Sequence, residues 1–160
     1  MQTRPWNRDT DHATLVKWWN QHEFGVVPRE VLPPDGIMVE QDGVPICAGG
    51  LYIGAGTEFA FMEWVVADKE ANKRQLHTAL RLCIDAIFEL ARSKGMQLVF
   101  TTTSEGALQK RYIKYHGMEL TENHVKTFLK DLTADKHYAS RSLDWISDDT
   151  QIGIQRTNNK

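Results

Sequence analysis

The sequence predicts a single α/β domain, a mixed central sheet flanked by helices. Three observations carry that expectation. Short β-rich runs alternate with runs of helical periodicity along most of the chain. An Asp42-Gly43 pair stands between two of the β-rich runs and marks a hairpin. A long amphipathic helix lies between two apolar runs, MEWVVA and MQLVFTTT, which makes the two strands most easily parallel through a right-handed crossover.

Length and composition fit one folded domain. The chain has 160 residues, is 41% hydrophobic and 25% charged, and carries five tryptophans, enough to bury a core without disulfides or metals. No apolar run reaches the roughly 18 residues of a spanning helix, and the start MQTRPWNRDTDH has no signal-like core. The expected location is therefore the cytoplasm, with no membrane partner. Cys47 and Cys83 stand apart in apolar stretches and read as reduced core thiols. The formal charge of −2 gives no global attraction to nucleic acid, so any basic function must be local.

TRPWNRDTDHATLVKWWNQH reads as a short strand and then a helix, capped by Asp9, Thr10 or Asp11, with Leu15, Trp18 and Trp19 at helical spacing. EFGVVPREVLPPDG holds three of the five prolines and predicts a loop or broken helical turn. Two strands then flank Asp42-Gly43, and Gly49-Gly50 in the second predicts a bulge or a close approach of another backbone. After the turn at 54–56, EFAFMEWVVAD reads as a central strand. Leu76, Leu80, Cys83, Ile84, Ile87, Leu90 and Ala91 mark one helix face that ends at Ser93-Lys94-Gly95. MQLVFTTT reads as a buried strand. Ser104 would cap a further helix running to His116 and stopped by Gly117. MEL and HVKTFLKDL supply two short last strands. The domain is expected over residues 1–132, and residues 133–160 read as a polar extension or tail.

A strand that runs through a polar loop into a helix is a ready anion site, because free N–H groups and the helix dipole face outward there. Here that loop has no glycine but offers Lys73, Arg74, Gln75, His77 and Thr78. Glu63 is the only acid inside the preceding strand, and a carboxylate among apolar residues tends toward a raised pKa that suits a base. The alternative readings are a solvated helix shoulder for the loop and a solvent-facing or ion-paired Glu63. Lys110, Arg111 and Lys114 on the later helix could meet phosphates or an acidic partner, or form a solvated face. The six histidines show no metal-ligand spacing, and no G-x-S-x-G is present.

The order of elements, with a strand leading into a long helix and then GM after a second helix, resembles the GCN5-related N-acetyltransferase superfamily over roughly residues 3–130. The resemblance implies acetyl-CoA as cofactor and an amine acceptor, a small molecule or a protein side chain. It implies that the backbone of Val65, Val66 and Ala67 lines the thioester arm. It places Asn72-Lys73-Arg74-Gln75-Leu76-His77 on the family's Q/R-x-x-G-x-G/A pyrophosphate loop, although neither glycine is present; Lys73 and Arg74 would compensate by charge. It also implies Glu63 as base and a tyrosine as acid. The position four before Gly117 is Ile113, so Tyr112, about 100° around the helix, is the candidate: either the register shifts locally or the usual tyrosine is absent. Two other classes stay open: a non-catalytic binding or structural protein of the same fold, similar to some phage virion components, and a nucleic-acid base modifier similar to phage Mom-type enzymes. The tail's Trp145, Ile146, Ile152 and Ile154 could dock on the body or on a second subunit of a homodimer.

Overall fold

The strands of the computed structural model, which describes residues 1–122, form one five-stranded sheet in chain order. The elements are β1 (Gln2–Pro5), α1 (Arg8–Gln21), a short 3-10 turn (Arg29–Val31), β2 (Asp35–Gln41), β3 (Val44–Ile53), β4 (Phe59–Ala67), α2 (Lys73–Ser93), β5 (Leu98–Phe100) and α3 (Gly106–His116). β1 to β4 pair antiparallel, and β5 lies parallel to β4 across the α2 crossover. The mixed α/β sheet is thus as expected.

Each face of the sheet carries a core. On one side α1 and the proline-rich loop bury Leu15, Trp18, Trp19, Val27 and Leu32 with Trp6, Met38, Ala48 and Val66. On the other, Ala79, Cys83, Ile84, Ile87 and Ala91 of α2 meet Val39, Cys47, Leu51, Ala60 and Met62, and Tyr112 of α3 joins them. Both cysteines are buried and free, and burial pushes the Cys47 thiol up. The helix face read from the sequence is the one that packs, with Leu76, Leu80 and Leu90 at its margins.

Local chemistry explains the boundaries. Asn7 caps α1 by accepting from the Asp9 and Thr10 N–H groups, so none of the three expected caps serves. Asp11 turns inward instead and takes a bidentate bond from Arg4, both arms 2.8 Å, and one from the Asn7 N–H. Burial alone would raise the Asp11 carboxyl, but these bonds hold it below the usual carboxylate range. Asp42 and Gly43 both have positive φ, 54° and 78°, as a two-residue hairpin turn requires. Gly50 gives way to Trp6: a Cβ there would lie 2.6 Å from the indole and 2.8 Å from Pro33.

The second half departs from expectation in three places. Glu105, not Ser104, occupies the cap position of α3, because the Thr103 hydroxyl takes the Glu105 N–H and organises the entry. β5 is shorter and more open than a buried strand, with Leu98 and Phe100 exposed by 59% and 45%. It pairs with β4 along one edge, and its other side borders a groove of about 700 Å³ lined by Phe88, Met96, Phe100, Tyr112 and Met118. Residues 118–120 form no strand among the described residues; the Met118 N–H closes α3 on the Tyr112 carbonyl. HVKTFLKDL and the tail, with the expected domain end at 132, lie outside the described residues.

Candidate active site

The site begins where β4 and β5 part. Their parallel rungs run from Phe59↔Leu98 to Phe61↔Phe100, and there β5 ends while β4 continues to Ala67. Just beyond the last rung, β4 carries a bulge. Gly50 faces Glu63 and Ala48 faces Val66, so Trp64 and Val65 together stand opposite Gly49. Trp64 takes a φ of 61°, a strained value for a bulky residue that the surrounding bulge imposes. The extra residue changes which side chains face which helix. Ala60 and Met62 pack on the α2 side before it, Val65 and Ala67 after it. Glu63 and Trp64 therefore point to the same side, toward α1.

That turn places the Glu63 carboxylate in the opening. It accepts from the Thr102 N–H (3.2 Å) and the Thr102 hydroxyl (2.9 Å), tying the parted ends of the two strands together. Burial pushes the Glu63 pKa up, and the Thr102 and Trp64 bonds offset only part of that. Beside it, the Trp64 indole donates to the Tyr52 hydroxyl (2.8 Å), which donates to the Val31 carbonyl. This chain of bonds connects the sheet to the proline-rich loop.

Tyr112 reaches the same region from α3. The helix is regular to His116 and ends on Gly117 at φ 63°, so no register shift occurs; Tyr112 is buried and Ile113 is 53% exposed. Burial pushes the Tyr112 pKa up to about 12; its bond with Thr101 opposes this and the nearby Glu63 charge adds to it.

Farther along β4 the backbone is partly engaged. The Asp68 N–H donates to the Ile46 carbonyl (2.8 Å), and alternation then turns the backbone groups of Ala67 away from β3. The Ala67 carbonyl accepts from His22 Nε2 (3.0 Å). Val66 pairs with Ala48. Val65, beside the bulge, keeps its side chain in the α2 core.

The loop into α2 is a capped helix start. Asn72 is the cap and accepts from the Arg74 N–H (2.9 Å). The first turn holds Lys73, Arg74 and Gln75 and no acid, which adds side-chain charge to the positive end of the helix dipole. Lys73 and Arg74 are exposed and enter none of the ion pairs among the described residues. The others are committed locally. Gln75 bonds Gln41 of the hairpin (3.3 Å), and the Thr78 hydroxyl bonds back to the Arg74 carbonyl (3.2 Å). His77 meets the Tyr115 ring, and its carbonyl accepts from Arg111 (3.2 Å). Among the described residues no group of His, Cys, Asp and Glu could hold a metal.

Sequence reasoning missed Thr102, His22 and Trp64. Only the bulge had a signal, Gly49-Gly50, and it pointed to the partner strand: the glycine makes room for the extra residue opposite.

An antiparallel sheet with one parallel edge strand, parting beside a bulge and followed by a long helix, defines a fold class. The chain has the fold of the GCN5-related N-acetyltransferases. By sequence it matches no family model and no curated protein. By structure it is similar to a GCN5-related N-acetyltransferase from Ralstonia eutropha, 14% identical with a TM-score of 0.60 over 79% of this chain and 97% of that one. It is also similar to glucosamine-6-phosphate N-acetyltransferase from Arabidopsis thaliana, 14% identical with a TM-score of 0.57 over 81% and 98%. A Mycobacterium tuberculosis protein solved in complex with CoA is 16% identical, with a TM-score of 0.60 over 79% and 76%.

Proposed function

We propose that the chain is an N-acetyltransferase that moves an acetyl group from acetyl-CoA to an amine. The observation that carries the reading is the half-buried Glu63 carboxylate, held by Thr102 at the mouth between β4 and β5. The residues along and beyond the second half of β4 suit the cofactor. Lys73 and Arg74 at the start of α2 form an acid-free cationic turn suited to a pyrophosphate, and Val65 borders the parted edge. Acetyl-CoA supplies the acetyl group as an activated thioester. Glu63 takes the proton from the amine, directly or through water, and its raised pKa brings it closer to neutral pH, where a base works well. Tyr112, kept as a phenol at any working pH, holds its proton ready to donate to developing negative charge. Arg111 and Lys114 extend the cationic surface beyond the first turn of α2.

His22 favours a second reading. Its hold on the Ala67 carbonyl fills one backbone acceptor on the edge assigned to the thioester arm, as a non-catalytic protein of this fold would tolerate. An acetyl-transfer assay over a panel of small amines and lysine peptides separates the two. The acetyltransferase reading expects turnover that Glu63→Gln lowers about 100-fold or more, the usual contribution of a general base. Cofactor binding without turnover on any amine class, unchanged by that substitution, supports the binding protein instead.

A further inference from the structure

We propose that Arg81, Arg111 and Lys114 form a second phosphate site, separate from the start of α2, that takes a phosphate ester of a nucleotide. The three side chains converge on one half-buried ring. The charged groups of Arg81, Arg111 and Lys114 lie 5.8, 6.0 and 5.2 Å from the Tyr115 centroid. Arg111 is also fixed on the α2 side by the His77 carbonyl, so the cluster bridges the seam between α2 and α3. No ion pair among the described residues involves any of the three. Asp85, one turn on from Arg81, is turned to His116.

Three cations around one ring repel one another, and in a chain of net charge −2 such a concentration is local rather than general. The ring offsets part of the repulsion through its negative face; a bound anion would offset the rest. Two guanidiniums and an ammonium suit the oxygens of a phosphate better than a single carboxylate, because the guanidinium forks bond two oxygens at once. Arg81 lies about 12 Å along α2 from Lys73, so the cluster is a distinct site. The 3′-phosphate of CoA and the backbone of a single-stranded nucleic acid share this chemistry. The first source rests on the acetyltransferase reading; the site itself does not.

The test is a calorimetric titration of the full chain with adenosine 3′,5′-bisphosphate, repeated with Arg81→Ala/Lys114→Ala. Both positions are exposed, and Lys114→Glu serves as a second variant with Tm as the folding check. The site predicts binding that the double variant weakens about tenfold or more, the scale of a lost charge-assisted bond, and that Lys114→Glu weakens further. CoA should then bind more tightly than dephospho-CoA by a similar factor. Competition by a single-stranded oligonucleotide with a steep salt dependence would keep the site and assign nucleic acid as its source. No binding of the bisphosphate, or binding unchanged in both folded variants, overturns the site. Equal binding of CoA and dephospho-CoA alongside acetyl transfer, with no competition by the oligonucleotide, would overturn it while leaving the acetyltransferase reading intact. A bisphosphate lost in the variants, with no acetyl transfer, keeps the site and removes that reading.

Discussion

Glu63 combines two demands that usually conflict. It is buried enough for its pKa to rise, yet its carboxylate faces an opening and bonds a loop residue, Thr102. A carboxyl with a raised folded pKa binds protons more readily in the folded chain than in the unfolded one. Stability therefore falls as pH rises from the ordinary glutamate pKa, about 4.3, through the raised folded value. Glu63→Gln should remove that decline, so the variant's Tm at pH 7 should equal or exceed the wild type's while turnover drops. For the proposed acetyl transfer, the acidic limb of the kcat/KM profile should lie above the ordinary glutamate range. Thr102→Val, which removes one bond that favours the ionised form, should move that limb higher still. Glu63 was legible as the lone acid of its strand. Thr102 was not, because a bond across 39 residues leaves no trace in local pattern.

Elements follow from residues wherever the determinants are close in sequence. The Asp42-Gly43 hairpin, the packed face of α2 and its glycine-terminated end were all readable from spacing and turn chemistry. The caps of α1 and α3 were not, because Asn7 and Glu105 were selected by the surrounding fold: Asp11 is drawn inward by Arg4, and Thr103 organises the entry to α3. The exposure of Leu98 and Phe100 was missed because an apolar strand reads as buried whatever its neighbours among the described residues. Gly50 gives a direct check on the packing between β3, Trp6 and the proline-rich loop. Gly50→Ala must displace the indole or Pro33 and should cost about 1–3 kcal/mol, measured by denaturant unfolding. His116 tests how α3 is held. Its side chain has no solvent exposure, Nδ1 bonds Asp85 (3.0 Å), and Nε2 is buried with no hydrogen-bond partner among the described residues. Burial pushes its pKa down against the pull of Asp85. A histidine whose folded pKa is lowered supplies stability above its unfolded value, about 6.5, and loses it as pH falls toward the folded one. His116→Phe should flatten the dependence of Tm on pH below about 6.5; an unchanged slope would show that other groups set it.

At the scale of the whole molecule, β4 links the two parts of the proposed site. Its middle, beside the bulge, carries Glu63, and its end delivers the chain toward the cationic start of α2. The fold class was legible because the order of strands and helices survives without the family's usual glycines and tyrosine position. Of the candidate site residues, Glu63 bonds Thr102 beside the end of β5, while Gln75, His77 and Thr78 are tied to Gln41, Arg111 and Arg74, partners that only the folded chain brings close or that compete within the helix itself. That leaves Lys73 and Arg74 as the residues on which a cofactor claim depends. Calorimetric titration of the full chain with acetyl-CoA, alongside Lys73→Ala/Arg74→Ala of unchanged Tm, tests it most directly. The account predicts micromolar binding that the double variant weakens about tenfold or more. No heat of binding at millimolar acetyl-CoA, or equal affinity in the variant, would contradict it.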